Sequence, residues 1–98
     1  MTEILGAIDL GASSGRVIAG VLSDSGLALH EVARFPNGPV AKGNQLHWDF
    51  DALIAAIREG LVKLGDFAAA RGTTVKSIGI DTWAVDYGLV GADGNLVA

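Results

Sequence analysis

Apolar residues run from Ile4 to Leu10, stop at Gly11-Ala12-Ser13-Ser14-Gly15, and resume from Arg16 to Leu22. Two short runs rich in strand formers, divided by a glycine and serine break, predict a β-hairpin. Ser23-Asp24-Ser25-Gly26 interrupts the pattern again. Beyond it Leu27, Leu29, Glu31, Ala33 and Phe35 alternate with Ala28, His30, Val32 and Arg34 at the period of a third strand. Pro36-Asn37-Gly38-Pro39 ends that strand, because proline has no N–H to give to a ladder, and a polar loop is expected through Gly43-Asn44-Gln45.

The period then changes. Leu53, Ile57, Leu61, Leu64 and Ala68 recur at spacings of three and four, with Arg58, Glu59, Lys63 and Asp66 mainly on the other side, which predicts a long amphipathic helix. Asp49 suits its N-cap, Asp51 its first turn, and Arg71 its C-terminal end; Gly72 suits a left-handed stop. The simplest use of its apolar face is to cover a sheet. Val75 to Asp81 reads as a further strand and Val85 to Val90 as another, with a hairpin turn at Ala92-Asp93-Gly94-Asn95. The predicted order is β-β-β-α-β-β. A right-handed crossover through the helix would make the strand at Val75 parallel to the first and the sheet mixed, an α/β arrangement. Ending at Ala98, just after a turn and one short apolar stretch, reads as a boundary within a longer chain.

Composition narrows the class. Of 98 residues, 50% are hydrophobic and 18% charged, which excludes disorder and predicts one small globular unit. Eleven acids against seven bases, net charge −4, leave no basic face for a nucleic-acid backbone. Without cysteine there is neither a disulfide scaffold nor a thiolate metal site. The first residues lack the basic region of a secretory signal, and charges such as Asp9, Arg16 and Asp24 interrupt every apolar run, so the cytoplasm is the expected compartment. His30 and His47 have no second ligand at metal spacing and read as ordinary histidines.

Two segments carry chemistry. The first is Asp9-Leu10-Gly11-Ala12-Ser13-Ser14-Gly15-Arg16, a carboxylate at a strand end followed by two glycines and two hydroxyls in a turn. Glycines admit close backbone approach, and successive turn N–H groups make an anion-binding concavity suited to phosphate. Asp9 has the wrong charge to touch phosphate directly, which makes a bridging Mg²⁺ the natural intermediary. Arg16 would add a cation or brace the turn. The same residues also describe an ordinary glycine–serine hairpin. No Gly-Lys-Ser/Thr closes the loop and no helix opens after it, so it is neither a Walker A loop nor a dinucleotide fingerprint.

The second is Ser77-Ile78-Gly79-Ile80-Asp81-Thr82-Trp83-Ala84-Val85-Asp86-Tyr87, where an apolar strand runs out into acids, an indole and a phenol. Carboxylates accept hydrogen bonds from hydroxyls and aromatic faces pack on the C–H surface of a sugar, so Trp83 and Asp86 are candidate sugar contacts. Alternatively Trp83 and Tyr87 are packing aromatics and Asp81 caps a turn.

A phosphate loop inside a β-hairpin, opening a β-β-β-α-β unit, resembles the actin, hexokinase and heat-shock ATPase superfamily, which implies a ribonuclease H-like, actin-like ATPase fold. More specifically, Ile8 to Val17, Phe35-Pro36-Asn37-Gly38, Trp48-Asp49 with the helix after it, and Ile78 to Tyr87 resemble the rhamnulokinases of the FGGY carbohydrate kinase family. That resemblance covers essentially the whole chain, and implies that residues 1–98 are a partial N-terminal domain whose C-terminal lobe is absent. It further implies transfer of the ATP γ-phosphoryl group to the 1-hydroxyl of L-rhamnulose, with Mg²⁺. Ala12, Ser13, Ser14, Gly15 and Arg16 would then contact ATP, and Asp9 would sit beside the metal. Ala84 corresponds to a sugar-contacting position usually filled by glycine, which keeps another deoxy-ketose or pentulose open as the substrate. The catalytic base and the adenine site would lie beyond Ala98, so the 98 residues alone are expected to be inactive. A non-catalytic nucleotide- or sugar-binding regulator of the same superfamily is the alternative from another class. Exposed strand edges would permit self-association.

Overall fold

The computed structural model describes residues 2–84 and 87–97. Seven elements follow in order: β1 (Glu3–Leu10), β2 (Ser14–Ser23), β3 (Gly26–Pro36), β4 (Pro39–Lys42), β5 (Gln45–Trp48), α1 (Phe50–Ala70) and β6 (Val75–Asp81). The main sheet is ordered β3-β2-β1-β6. β1 pairs antiparallel with β2, β2 antiparallel with β3, and β1 parallel with β6, so the sheet is mixed as expected. Among the described residues no helix is long and apolar enough to cross a membrane.

Helix α1 lies across one face of the sheet. Ile4, Ile8, Leu10, Val17 and Ala19 from β1 and β2 meet Leu53, Leu64 and Ala68 from α1 in a single buried cluster. Gly6 on β1 permits the close approach: a Cβ there would lie 2.5 Å from Leu64 Cδ2. Both ends of α1 are closed by the residues that the sequence nominates. The Asp49 carboxylate accepts from the Ala52 N–H at 3.1 Å. At the other end Gly72 N–H donates to Ala69 O and Thr73 N–H to Ala68 O, with Gly72 at φ +73°, which is a Schellman stop. The Arg71 guanidinium lies 3.9 Å from the centroid of the Phe67 ring rather than against the last carbonyls. Replacing Asp49 with Ala is expected to cost about 1 kcal/mol, the usual value of an N-cap, read as a lower urea midpoint for loss of helical ellipticity.

Three features depart from the sequence expectation. First, residues 39–48 are not a polar loop but a separate two-stranded ribbon, β4 with β5. Lys42 opposite Gln45 leaves a two-residue turn, Gly43-Asn44, with Gly43 at φ +63°. Gly-Asn is itself a hairpin signal, masked here by strands of only four, mostly exposed residues. Second, β3 does not alternate throughout. Its pairing with β2 shifts between Val17 and Ile18, so that Ala33 faces Val17 and Glu31 faces Ile18, leaving Val32 as an extra residue. Ala33 and Phe35 therefore pack on the helix side, whereas Leu27 and Leu29 fall on the other face beside Gly20 and stay exposed. Third, the strand expected at Val85 to Val90 does not form among the described residues; Val85 and Asp86 lie outside them. Val90 makes only an isolated bridge to Leu96 across the turn at residues 91–95, and Leu89 and Val90 remain exposed. An apolar run needs a neighbouring strand to become one, and among the described residues β6 pairs only with β1. The order is thus β-β-β-β-β-α-β.

Candidate functional site

β1 and β6 run parallel and end side by side, with Asp9 and Asp81 as register partners. Carboxyl ends of parallel strands are where open α/β sheets bind ligands. In-register residues share a sheet face, so the two carboxylates project to the same side. Among the described residues no group of three or more His, Cys, Asp or Glu side chains gathers. A magnesium ion brought in with phosphates needs only one or two carboxylates, and the Asp9–Asp81 pair is a donor set of that kind. From the sequence Asp81 is one acid in a cluster or the cap of a turn; its place beside Asp9 comes from the register.

The loop between β1 and β2 is the tip of a tight hairpin. Gly11 N–H donates to Ser14 O at 2.9 Å. Ala12 and Ser13 are exposed, Ser14 is half-buried and Gly15 is buried. Gly15 must be glycine, because any Cβ would run into the ring of Phe35, its partner on β3. The Arg16 guanidinium donates to the Asp9 carboxylate across the strand pair, each side chain being 42% exposed. An ion pair so exposed contributes at most about 1 kcal/mol, so it holds the Arg16 side chain only weakly.

One residue outside the hairpin closes it from behind. Asn37, just past the end of β3, donates its backbone N–H to Ser13 O at 3.1 Å and its side-chain amide to Gly11 O at 2.9 Å. Three turn carbonyls, those of Gly11, Ser13 and Ser14, are thereby engaged inside the protein. Among the described residues the N–H groups of Ala12 and Ser13 take part in no such bond.

Past β6, Trp83 is half-buried against the edge of the core and stacks on Trp48 at the end of β5, ring centroids 4.5 Å apart and tilted by 39°. One face of the Trp83 indole is thus taken. Ala84 is exposed beside it, and Asp86 lies outside the described residues. The Asp81 carboxylate accepts from the Thr82 N–H at 3.0 Å, which shapes the exit from the strand. Aromatic character at Trp48 was visible in the sequence, but its meeting with Trp83 depends on the β4–β5 ribbon.

Close relatives share this sequence. The chain is 48% identical over 91 residues to a rhamnulokinase of Bacteroides thetaiotaomicron, covering 93% of this chain and 18% of that protein. The chain is related to the rhamnulokinases. A rhamnulokinase of Ligilactobacillus salivarius is 51% identical over 88 residues, 90% of this chain and 17% of the relative. One from Bacillus subtilis is 42% identical over 89 residues, 91% and 18%. No protein-family model matches the chain. A match over 91 of 98 residues is too long to omit either the loop at residues 9–16 or the strand end at residues 81–84. The chain spans under a fifth of the length of these rhamnulokinases.

Proposed function

We propose that the protein carrying this chain is an ATP-dependent ketose kinase that converts L-rhamnulose to L-rhamnulose 1-phosphate, and that residues 1–98 form part of one wall of an actin-like nucleotide cleft. The observation that carries this reading is the meeting of the hairpin loop and the Asp81-to-Ala84 strand end at neighbouring carboxyl ends of β1 and β6. Similarity to rhamnulokinases along nine-tenths of the chain supports the sugar.

In the proposed reaction the sugar 1-hydroxyl oxygen forms a bond to the γ-phosphorus while the bridging bond to the β-phosphate breaks. ADP leaves, and the hydroxyl proton passes to a base outside these 98 residues. Residues Ala12 to Arg16 hold the ATP phosphates, with the free N–H groups of Ala12 and Ser13 and the Ser13 and Ser14 hydroxyls as donors. Asp9, next to Asp81, holds Mg²⁺, whose chemistry is to neutralise the charge on the phosphates. Trp83, Ala84 and Asp86 are assigned to sugar binding. Positioning and charge neutralisation account for most of phosphoryl-transfer catalysis, and a single wall provides neither closure nor base. Turnover is therefore assigned to the whole protein, acting in the cytoplasm, and not to the 98 residues alone.

Ala84 favours a second reading within the same reaction class. Its exposed methyl beside Trp83 would narrow a pocket and suit a different deoxy-ketose or pentulose. A coupled ADP-release screen of the full-length protein over ketoses separates the two. L-rhamnulose is expected to give the highest kcat/KM, and Ala84→Gly to change that value by about tenfold, the lower end of the range for a single methyl in a pocket. A higher kcat/KM with another ketose would replace rhamnulose in the assignment. Nucleotide binding without ADP release on any sugar would point to a regulator.

A further inference from the structure

We propose that Asn37 is a positioning residue for phosphate binding: its side-chain amide holds the Gly11 carbonyl away from the ligand so that the Ala12 N–H of the same peptide unit faces it. This rests on the reading of the Asp9-to-Arg16 hairpin as the phosphate loop.

A turn that binds an anion has a difficulty of its own making. Every peptide unit that offers an N–H also carries a carbonyl oxygen, whose partial negative charge repels phosphate. In a short hairpin tip these oxygens must be turned inward and given partners, or the concavity presents both signs at once. Here the partners of the Gly11, Ser13 and Ser14 oxygens are identifiable. Ser14 O is satisfied within the turn by Gly11 N–H, and Ser13 O by the Asn37 backbone. Gly11 O receives the Asn37 side-chain amide, the single side-chain bond into the turn among the described residues. Gly11 O can only accept, which fixes the amide orientation of Asn37 with nitrogen towards the loop.

The placement of Asn37 is itself built in. Pro36 pairs with Ser14, so β3 runs out alongside the loop and the next residue arrives beneath it. Phe35 backs Gly15 one step earlier. The Asn37 backbone bond to Ser13 survives any substitution except proline, so side-chain variants alter the loop without detaching β3. Asn37→Ala removes the donor to Gly11 O. Asn37→Asp keeps the shape but puts an acceptor against an acceptor and adds negative charge close to the phosphates.

The test uses the full-length protein with steady-state kinetics and thermal shift. Asn37→Ala is expected to raise KM for ATP about tenfold, the equivalent of one hydrogen bond's contribution. KM for the sugar should stay within about twofold, and stabilisation by adenosine, which has no phosphate, should be unchanged. Asn37→Asp is expected to raise KM for ATP further, about 100-fold, since it adds a repulsive charge to the lost bond. A purely structural brace would lower the melting temperature and leave the ATP and adenosine responses in their wild-type ratio; that result overturns the inference. It is also overturned if both variants keep wild-type KM for ATP. If the wild type itself shows no stabilisation by ATP beyond that by adenosine, the phosphate-loop reading fails and takes this proposal with it. If Asn37→Ala does not fold, Asn37→Asp, which preserves volume, gives the same comparison.

Discussion

Asp9→Ala in the full-length protein is expected to lower kcat by about 10³-fold or more at saturating ATP and sugar, while far-UV ellipticity stays unchanged. The side chain sits at the end of β1, part-exposed, paired to Arg16 and in register with Asp81. Its removal is expected to leave the buried cluster intact, because Asp9 is not part of that cluster. The loss is electrostatic: removing one preorganised donor to a reacting oxyanion costs about 10²–10³-fold, and removing the carboxylate that would hold the cation costs more, because the charge neutralisation that the ion supplies goes with it. Asp9→Asn should behave almost as badly, since it keeps shape and hydrogen bonding to Arg16 but not charge. Activity within tenfold of wild type in either variant would remove Asp9 from the reaction. A coupled ADP-release assay checks both.

Leu64→Ala is expected to destabilise the 98-residue chain by about 3 kcal/mol, within the usual range for a buried leucine. Leu64 is 1% exposed and reaches into the space that Gly6 leaves on β1, so truncation opens a cavity there. A domain of this size has only about 5–15 kcal/mol in total, so the effect takes a large share of it. The comparison is Val62→Ala, two residues away on the same helix but 64% exposed, which should change stability by no more than about 0.5 kcal/mol. Urea denaturation followed at 222 nm reads both. Equal effects at the two positions would mean that α1 does not pack on the sheet through Leu64.

Much of this fold is legible in the sequence because its largest elements follow single periods. β1, β2, α1 and β6 fall where apolar spacing puts them, and Asp49 and Gly72 close the helix as their chemistry dictates. What escaped depends on partners that no local pattern names. The bulge at Val32 reverses which residues of β3 face the helix, and only the pairing with Val17 and Ile18 reveals it. The ribbon at residues 39–48 is too short and too exposed to announce itself except through Gly43-Asn44. The run at Leu89 and Val90 reads as a strand, but among the described residues it makes no more than an isolated bridge to Leu96.

The site divides in the same way. Asp9 to Arg16 stands out because glycine, serine and a strand-end aspartate are adjacent in the chain. Asn37 reaches Gly11 from 26 residues away, and Trp48 reaches Trp83 from the other side of a helix. Polar residues next to proline read as loop punctuation until a carbonyl is seen to need them. Asp81 gained its meaning only from standing opposite Asp9.

The most direct test of the account is the product. Full-length protein incubated with ATP, Mg²⁺ and L-rhamnulose should release ADP and yield a sugar phosphate whose phosphorus couples to the C1 protons in NMR spectra. ATP that binds but leaves L-rhamnulose unphosphorylated, or a phosphate found on another carbon, would contradict it.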